Sequence, residues 1–422
     1  MESKERISIK NFAGIEELEM DIKPINILIG PQGVGKSVVV KLIYFFRDII
    51  NDFYLKNLYS IESIDEFKDG LNTKFFEIFD CCAFCSKKEA VISYEKNGEI
   101  LYVIKGSNKE DFELSFYNNM IKLINEVFLL DDELKYHQLN NGISEKLWIR
   151  NSNLQEKVKN KIFRIVGYNY TPQFFIPAGR SFFSTIDTNI YSIIGKNSNN
   201  LDYFMIHFGQ LYTFFKQMCK DNEGNSDLFD NALKSIIGGD YFFDEDKIQY
   251  IIHNDDRRVE IRNTSSGQQE ALPLILGLSS IYYKKISNDK STLYIEEPEA
   301  HLFPTAQKAI VELLAKTYNS NPDNTQLFIT THSPYILTSF NNLIYAGNII
   351  KDDESKREAV EKVIAKDTLL DCSQIGAYAL TKDGLKDLID QENHIINAEL
   401  LDEVSNLIGR EFDQLLDIEY AE

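Results

Sequence analysis

Apolar and polar residues alternate from Arg6 to Ile9 and again from Ile15 to Ile22, on either side of Asn11-Phe-Ala-Gly14. An unbroken apolar run from Ile25 to Ile29 follows. Alternation predicts strands with one buried face, and a short continuous run bounded by glycine predicts a strand buried on both faces. The first 30 residues therefore read as a strand pair leading into a core strand that ends at Gly30. From Val38 to Ile50 apolar and aromatic side chains cover most faces of a helical wheel, with Lys36-Ser37 at the start, as in a buried helix.

Residues 51–170 carry helical patterns interrupted by Val91–Lys96 and Glu99–Ile104 around Asn97-Gly98. Both central positions of a type I′ turn need positive φ, so Asn-Gly between two apolar runs predicts a hairpin. The region reads as an insertion with its own small antiparallel sheet, and the absence of heptads excludes a long coiled-coil arm. Phe174–Ile176 predicts a strand entering Pro177-Ala-Gly-Arg180, and an aromatic-rich, largely helical stretch runs to Ile237. Tyr250–His253 and Val259–Ile261 predict a second hairpin around Asn254–Arg257. Leu293–Ile295 and Gln326–Ile329 are the clearest buried strands, with a helix from about Pro304 to Tyr318 between them, an alternation that calls for a parallel sheet.

Composition narrows the class. The 422 residues are 43% hydrophobic with only 21 glycines and 9 prolines, which excludes disordered and fibrous chains. A formal net charge of -20 is opposite to the footprint of a protein that coats nucleic acid. From Lys351 onward 8 Lys/Arg face 19 Asp/Glu, more than half of the acidic excess. That tail is poorly suited to DNA, although a local basic groove would suffice to bind it. No run of 18 apolar residues and no signal-like N-terminus is present, so a cytoplasmic protein without membrane contact is expected. Cys81, Cys82, Cys85, Cys219 and Cys372 are odd in number and scattered, as reduced thiols would be. Cys82-x-x-Cys85 has redox or zinc spacing but lacks a second pair, so buried small side chains on a helix are the simpler reading.

Gly30-Pro31-Gln32-Gly33-Val34-Gly35-Lys36-Ser37, followed by Val38, matches G-x-x-x-x-G-K-[ST] between a strand and a helix. Glycines let backbone N–H groups close around phosphates, Lys36 brings a charge to the β and γ phosphates, and the Ser37 hydroxyl ligates Mg²⁺. These residues call for ATP with Mg²⁺. Glu296-Glu297-Pro298-Glu299 directly follows an apolar strand. The order assigns Glu296 to the metal, where Asp is commoner, and Glu297 to the base that polarises water. His332, in Thr330-Thr-His-Ser-Pro334, ends the next strand and would donate to the γ-phosphate. Ser265, Ser266, Gly267 and Gln268 open an apolar helix, and read either as an anion site or as an ordinary N-cap.

Taken together, these four motifs resemble those of the ABC-type ATPases, and more narrowly the SMC-like, RecF-like and overcoming-lysogenization-defect group labelled AAA_15 or AAA_21. Glu296–Pro304, Thr330–Pro334 and Ile176–Arg180 carry the likeness, which covers residues 1–50 and about 170–345. The resemblance implies an α/β P-loop NTPase of ABC/SMC-head type, with an N-terminal antiparallel sheet lobe. Residues 1–50 and 171–345 would form the ATPase domain, 51–170 a mixed α/β insertion and 346–422 an acidic, helical C-terminal region. It also implies a homodimer or higher homo-oligomer through an ATP sandwich, in which the glycine loop of one protomer faces Ser266-Gly267-Gln268 of another. Arg180, with Gln173 before it, would lie in a loop sensing the γ-phosphate, salt-bridged structure being an equal reading of Arg180, and Glu299–Leu302 would touch the opposite protomer.

About 90 residues follow His332, too few for the Toprim nuclease that many such proteins append, so no nuclease is expected. Stand-alone ATPases of this kind resemble subunits of two-component anti-phage systems, for example AriA of PARIS or PtuA of Septu. A slow, dimer-dependent ATPase switch controlling a separately encoded effector is the leading expectation. Leu400–Leu416 has helical apolar spacing suited to an effector surface or to packing on its own domain. A RecF-like DNA-repair ATPase is the alternative, and a transporter subunit is the least favoured.

Overall fold

The computed structural model describes residues 4–59, 63–84, 88–125, 172–185, 202–220, 231–243, 248–284 and 290–397, together with residues 160 and 414. Strands β1 (Glu5–Phe12), β2 (Ile15–Ile22) and β3 (Ile25–Ile29) lead into helix α1 (Lys36–Tyr59), followed by α2 (Ile64–Ile78). After β4 (Ala90–Lys96), β5 (Glu99–Gly106) and β6 (Glu113–Phe116) come β7 (Gln173–Ile176) and α3 (Tyr203–Lys220). Strands β8 (Gly239–Phe243), β9 (Gln249–His253) and β10 (Arg258–Glu260) precede α4 (Ser266–Lys284). The remaining main elements are β11 (Ser291–Glu296), α5 (Pro304–Asn319), β12 (Thr325–Thr331), α6 (Pro334–Asp352), β13 (Ile375–Thr381) and β14 (Gly384–Asp387).

A six-stranded sheet in the order β14-β13-β3-β12-β11-β7 forms the middle layer. Its strands are parallel except β14, which returns antiparallel to β13. Every residue of β3 is buried, as its unbroken apolar run predicts. Leu28, Phe175, Tyr294 and Phe328 face one core with α1 and the antiparallel sheet, while Ile27, Leu293, Ile295 and Ile329 face the other with α4, α5 and α6. The protein is thus layered α/β, with helices closing one face and an antiparallel lobe closing the other.

Two expectations change. The hairpin forms, with Asn97 at φ 55° and Gly98 at 80°, but it is not a separate insertion. Strand β4 pairs along the whole of β1, giving one five-stranded sheet β2-β1-β4-β5-β6. The alternation that exposed one face of β1 to a core left its free edge unaccounted for, and a paired edge is the lower-energy state. Residues 346–422 are likewise not simply a helical region: β13 lies beside β3, fully inside the central sheet. Its sequence, Ile375-Gly-Ala-Tyr-Ala-Leu380, is an uncharged run with acids on both sides. Most of residues 126–171, and all of Leu400–Leu416 except residue 414, fall outside the described residues, as does Cys85.

Three layers are clamped by a buried ionic cluster. Arg47 of α1 donates to Glu5 Oε1 of β1 through Nε (2.8 Å) and Nη2 (2.6 Å), and to Thr292 Oγ1 of β11 at 3.2 Å. Lys96 Nζ of β4 reaches Glu5 Oε2 at 3.2 Å, and the Tyr94 hydroxyl also donates to Glu5. Burial opposes the charged carboxylate, but Arg47, Lys96 and the Tyr94 bond outweigh it and hold the Glu5 pKa at about 2 instead of 4.5. A depressed carboxylate stabilises the fold above its unfolded pKa and ceases to do so as pH falls through the folded value. The Glu5 contribution is therefore complete above pH 4.5 and lost towards pH 2. In Glu5→Gln two cations lose their buried countercharge. Urea unfolding at neutral pH should show a loss of about 3–5 kcal/mol, and the acid decline between these pH values should flatten.

Candidate active site

Parallel pairing sets the site. Because β3, β12, β11 and β7 are adjacent and run the same way, the loops that follow them all open at one edge of the sheet, the carboxyl edge where α/β folds bind ligands. Those loops are Gly30–Gly35, His332-Ser333, Glu297–Phe303 and Pro177–Arg180.

Gly30, Gly33 and Gly35 take φ of 156°, 78° and 100°, the last two in the left-handed region that disfavours a Cβ. At Gly30 a Cβ would lie 2.0 Å from the Leu380 carbonyl oxygen of β13, so the loop packs there only because the side chain is missing. The first bond of α1 runs from Val39 N to Gly35 O at 3.1 Å, which leaves the earlier N–H groups, through Ser37 and Val38, outside the helix ladder. Pro31, Gln32 and Gly33 are exposed, whereas Val34, Gly35, Ser37 and Val38 are half-buried. Lys36 is only 5% exposed; its Nζ donates to the carbonyls of Gly30 and Pro31 at 2.8 Å each. Burial lowers its pKa, while the charges of Glu297 and Glu299 pull it back up.

The Lys36 Nζ also lies 3.3 Å from both ring nitrogens of His332, and His332 Nε2 lies 3.4 Å from Glu297 Oε1. Residues expected as separate motifs are thus brought into one chain of contacts. Glu297 has φ 43°, a conformation that a residue with a side chain adopts only when its surroundings impose it. Its N–H donates to Thr330 O at 2.9 Å and its carbonyl accepts from Arg180 Nη2 at 3.1 Å. Those two bonds fix the backbone that aims the carboxylate.

Of the two readings of Arg180, phosphate sensor and salt-bridged structure, its surroundings match the second, with Glu270 Oε2 at 3.7 Å from Nε. Arg180 has no exposed surface, and its guanidinium donates to the carbonyls of Pro177 (3.1 Å), Glu270 (2.9 Å), Glu296 (2.9 Å) and Glu297 (3.1 Å). Burial works against its charge, and Glu270, Glu299, Glu297 and Glu296 support it. The guanidinium's planar fork of donors suits it to tying several acceptors together. Arg180 thus joins the acidic loop to the first turn of α4. Pro273 explains part of that seam: lacking an N–H, it cannot bond the Gln269 carbonyl four residues back, and Ser184 Oγ takes that acceptor at 2.6 Å. Gln173 is also displaced from its expected role. It starts β7 at the opposite edge, donates to Tyr44 O and Asp48 at 3.3 Å, and accepts from Tyr294.

Ser265 and Gln268 form a capping box: Gln268 Oε1 accepts from Ser265 N at 3.0 Å, and Ser265 Oγ from Gln268 N at 3.4 Å. Ser266 is exposed, and a Cβ on Gly267 would lie 2.6 Å from the His301 carbonyl. The helix start is therefore seated on the loop after Glu297, and Gln268 Nε2 ties it to the Ile237 carbonyl at 2.7 Å.

Sequence reasoning assigned no role within its own protomer to Glu299. Its Oε1 accepts from the Thr331 hydroxyl and from the His332 N–H, both at 2.7 Å, so it latches the acidic loop to the histidine loop. The signal lay in the third acid of Glu296-Glu-Pro-Glu299, which neither metal nor base requires. Glu296 Oε1 and Glu299 Oε2 are buried without a protein partner. Glu296 Oε2 accepts from Ala178 N at 3.3 Å. An unpartnered carboxylate oxygen at the end of β11, with the Ser37 hydroxyl at the start of α1, is a donor set of the hard oxygen type that Mg²⁺ takes.

Removing Glu299 tests this latch. Glu299→Ala should lower the unfolding free energy by about 2–4 kcal/mol, because two buried donors lose their acceptor, and Glu299→Gln by clearly less, since its amide oxygen can accept both. Equal losses in denaturant titration would mean that the charge, not the acceptor pair, is what the loop uses.

Among curated proteins none matches the chain in sequence. In solved structures the chain is similar to the SMC head domain from Thermotoga maritima, at 12% identity and a TM-score of 0.35, covering 80% of this chain and 91% of that one. It is also similar to the Smc head domain with an extended coiled coil, bound to the C-terminal domain of ScpA, from Pyrococcus furiosus. There the identity is 12% and the TM-score 0.37, with 95% of this chain and 99% of that one covered. Residues 25–338 match AAA_21, the family described as "AAA domain, putative AbiEii toxin, Type IV TA system", a span that takes in all four loops. The chain belongs to this family and is an ATP-binding P-loop ATPase.

Proposed function

We propose that this chain is a slow ATP-hydrolysing switch that closes as a homodimer, or as a higher even-numbered assembly, and so controls a separately encoded effector in anti-phage defence. The observation that carries the reading is the convergence of Lys36, His332 and Glu297 from three loops of one sheet edge, at 3.3 and 3.4 Å. Lys36 and the N–H groups of Gly33–Val38 would hold the phosphates of ATP. Ser37 and Glu296 would hold Mg²⁺, whose charge offsets that of the phosphates. Glu297 would take the proton from the attacking water, and His332 would donate to the γ-phosphate.

Assembly is supported by what surrounds the site. Phe303 is 74% exposed just after the Glu299–Leu302 loop, and Tyr335 is 52% exposed three residues after His332. Aromatic side chains left open beside a polar site are the composition of an interface core, and Ser266 stands exposed at a helix N-terminus that could receive a phosphate from a second protomer. Effector control follows from the sequence resemblance, and the family description, with its "putative AbiEii toxin, Type IV TA system", is in keeping with it. The net charge of -20 disfavours DNA as the controlled partner.

Light scattering of the purified chain with and without ATP-Mg²⁺ tests the switch. Glu297→Gln should bind ATP, hydrolyse it at least a hundredfold more slowly and accumulate as an even-numbered assembly, while Lys36→Ala should stay in the nucleotide-free state. Monomers in every variant with ATP bound would overturn the two-protomer mechanism. DNA-stimulated turnover that falls steeply with salt would replace effector control with a DNA-directed role.

A further inference from the structure

At the amino edge of the parallel sheet, opposite the glycine loop, the two sheets part around a cavity of about 550 Å³. Its walls are the outer ends of β1 and β4, Arg47 of α1, and the residues that begin β11 and β12 and precede β13. This volume falls within the range of small-ligand pockets.

Its charge is opposite to that of the protein. Lys4, Arg6, Lys23, Arg47, Lys96 and Lys290 line it, against the acids Glu5, Asp21, Glu95 and Asp323, in a chain whose net charge is -20. Two of the acids are already engaged. Asp21 holds Arg6 at 2.7 Å, and Glu5 is shared between Arg47 and Lys96, which are 3% and 6% exposed. Two buried cations thus share one buried carboxylate. Among the described residues the ammonium groups of Lys4, Lys23 and Lys290 have no acid within ion-pair distance, and all three stand on the rim. The side chains of Asn324 and Gln374 add amide donors to the wall.

We propose that this cavity is a second ligand site, which takes a small phosphate-bearing anion of up to about nucleotide size. The surplus of two cations matches the roughly two negative charges of a phosphomonoester near neutral pH. Lysines on flexible stems deliver point charges to phosphate oxygens without the planar match that a carboxylate–arginine pair requires. Lys96 lies buried in this wall: burial pushes its pKa down to about 8, with Glu5 supporting the charge and Arg47 and Lys290 opposing it. A bound dianion restores the ordinary lysine range, so binding at about pH 8.5 takes up a proton.

The test is calorimetric titration of inorganic pyrophosphate into full-length Lys36→Ala, whose glycine loop lacks its lysine, in two buffers of different ionisation heat at pH 8.5. Saturable binding with proton uptake is expected, weakened at least tenfold when Lys23→Glu and Lys290→Glu are added. The same rim pair in the otherwise unaltered chain should leave ATP binding and the melting temperature unchanged, which separates this site from the nucleotide site. Absence of saturable heat, or binding indifferent to the reversed rim charges, would overturn the proposal and leave the cluster as a clamp between the sheets. Loss of ATP binding in the rim pair would overturn the independence of the two sites.

Discussion

The parallel backbone ladder joining β3, β12, β11 and β7 is the constraint on which the rest of the protein depends. Strands β3 and β12, about 300 residues apart in the chain, are held in register with Ile29 opposite Thr331, and β11 follows with Glu296 opposite Thr330. Parallel pairing forces every strand to end at the same edge, and a strand buried on both faces cannot slip by one residue without reversing its side chains between two cores. The glycine loop, the acidic loop and the histidine loop therefore meet as a consequence of sheet topology. No single loop has to reach across the molecule.

Having met, the loops are fixed by buried polar groups that make no chemistry of their own. Arg180 binds four carbonyls and so joins the acidic loop to the start of α4. Glu299 joins the acidic loop to the histidine loop. Arg180 is satisfied through backbone carbonyls, and Glu299 through one backbone N–H and one hydroxyl. Buried hydrogen bonds of this kind lock a geometry that an apolar core would leave loose. The positive φ of Glu297 sits between these two ties, which is where backbone strain can be sustained. Glu270, 3.7 Å from Arg180 Nε and bonded to Ser181, completes the seam beneath the helix start that carries Ser266. Movement of that helix and movement of Glu297 are mechanically connected through one guanidinium.

Electrostatically the two edges of the sheet are opposites. At the carboxyl edge the charges of Glu297 and Glu299 act on Lys36 and Glu296 keeps a buried, unpartnered carboxylate oxygen, an acidic setting suited to a divalent cation. At the amino edge cations outnumber acids although the chain as a whole is strongly acidic. Net charge did not foretell the cation-rich amino-edge cavity, because a concave site is decided by which few side chains the sheet brings together.

Much of this was legible from the sequence. The period of two in β1 and β2, the unbroken run of β3, the Asn97-Gly98 turn and the glycine-lysine loop are local patterns, and local patterns are determined by residues that are neighbours in the chain. They established the α/β class, the glycine loop with Lys36 and the acids after β11. Tertiary structure decided what local patterns cannot carry. It placed β4 on the free edge of β1 and β13 beside β3, because an open edge accepts whichever strand long-range packing delivers. It buried Arg180 among carbonyls, since a lone arginine in a loop reads the same whether it faces solvent or the core. It also gave Glu299 its two donors and gathered six cations around one cavity, since distance in space between residues far apart in the chain is written in the packing of the layers and nowhere in the order of the residues.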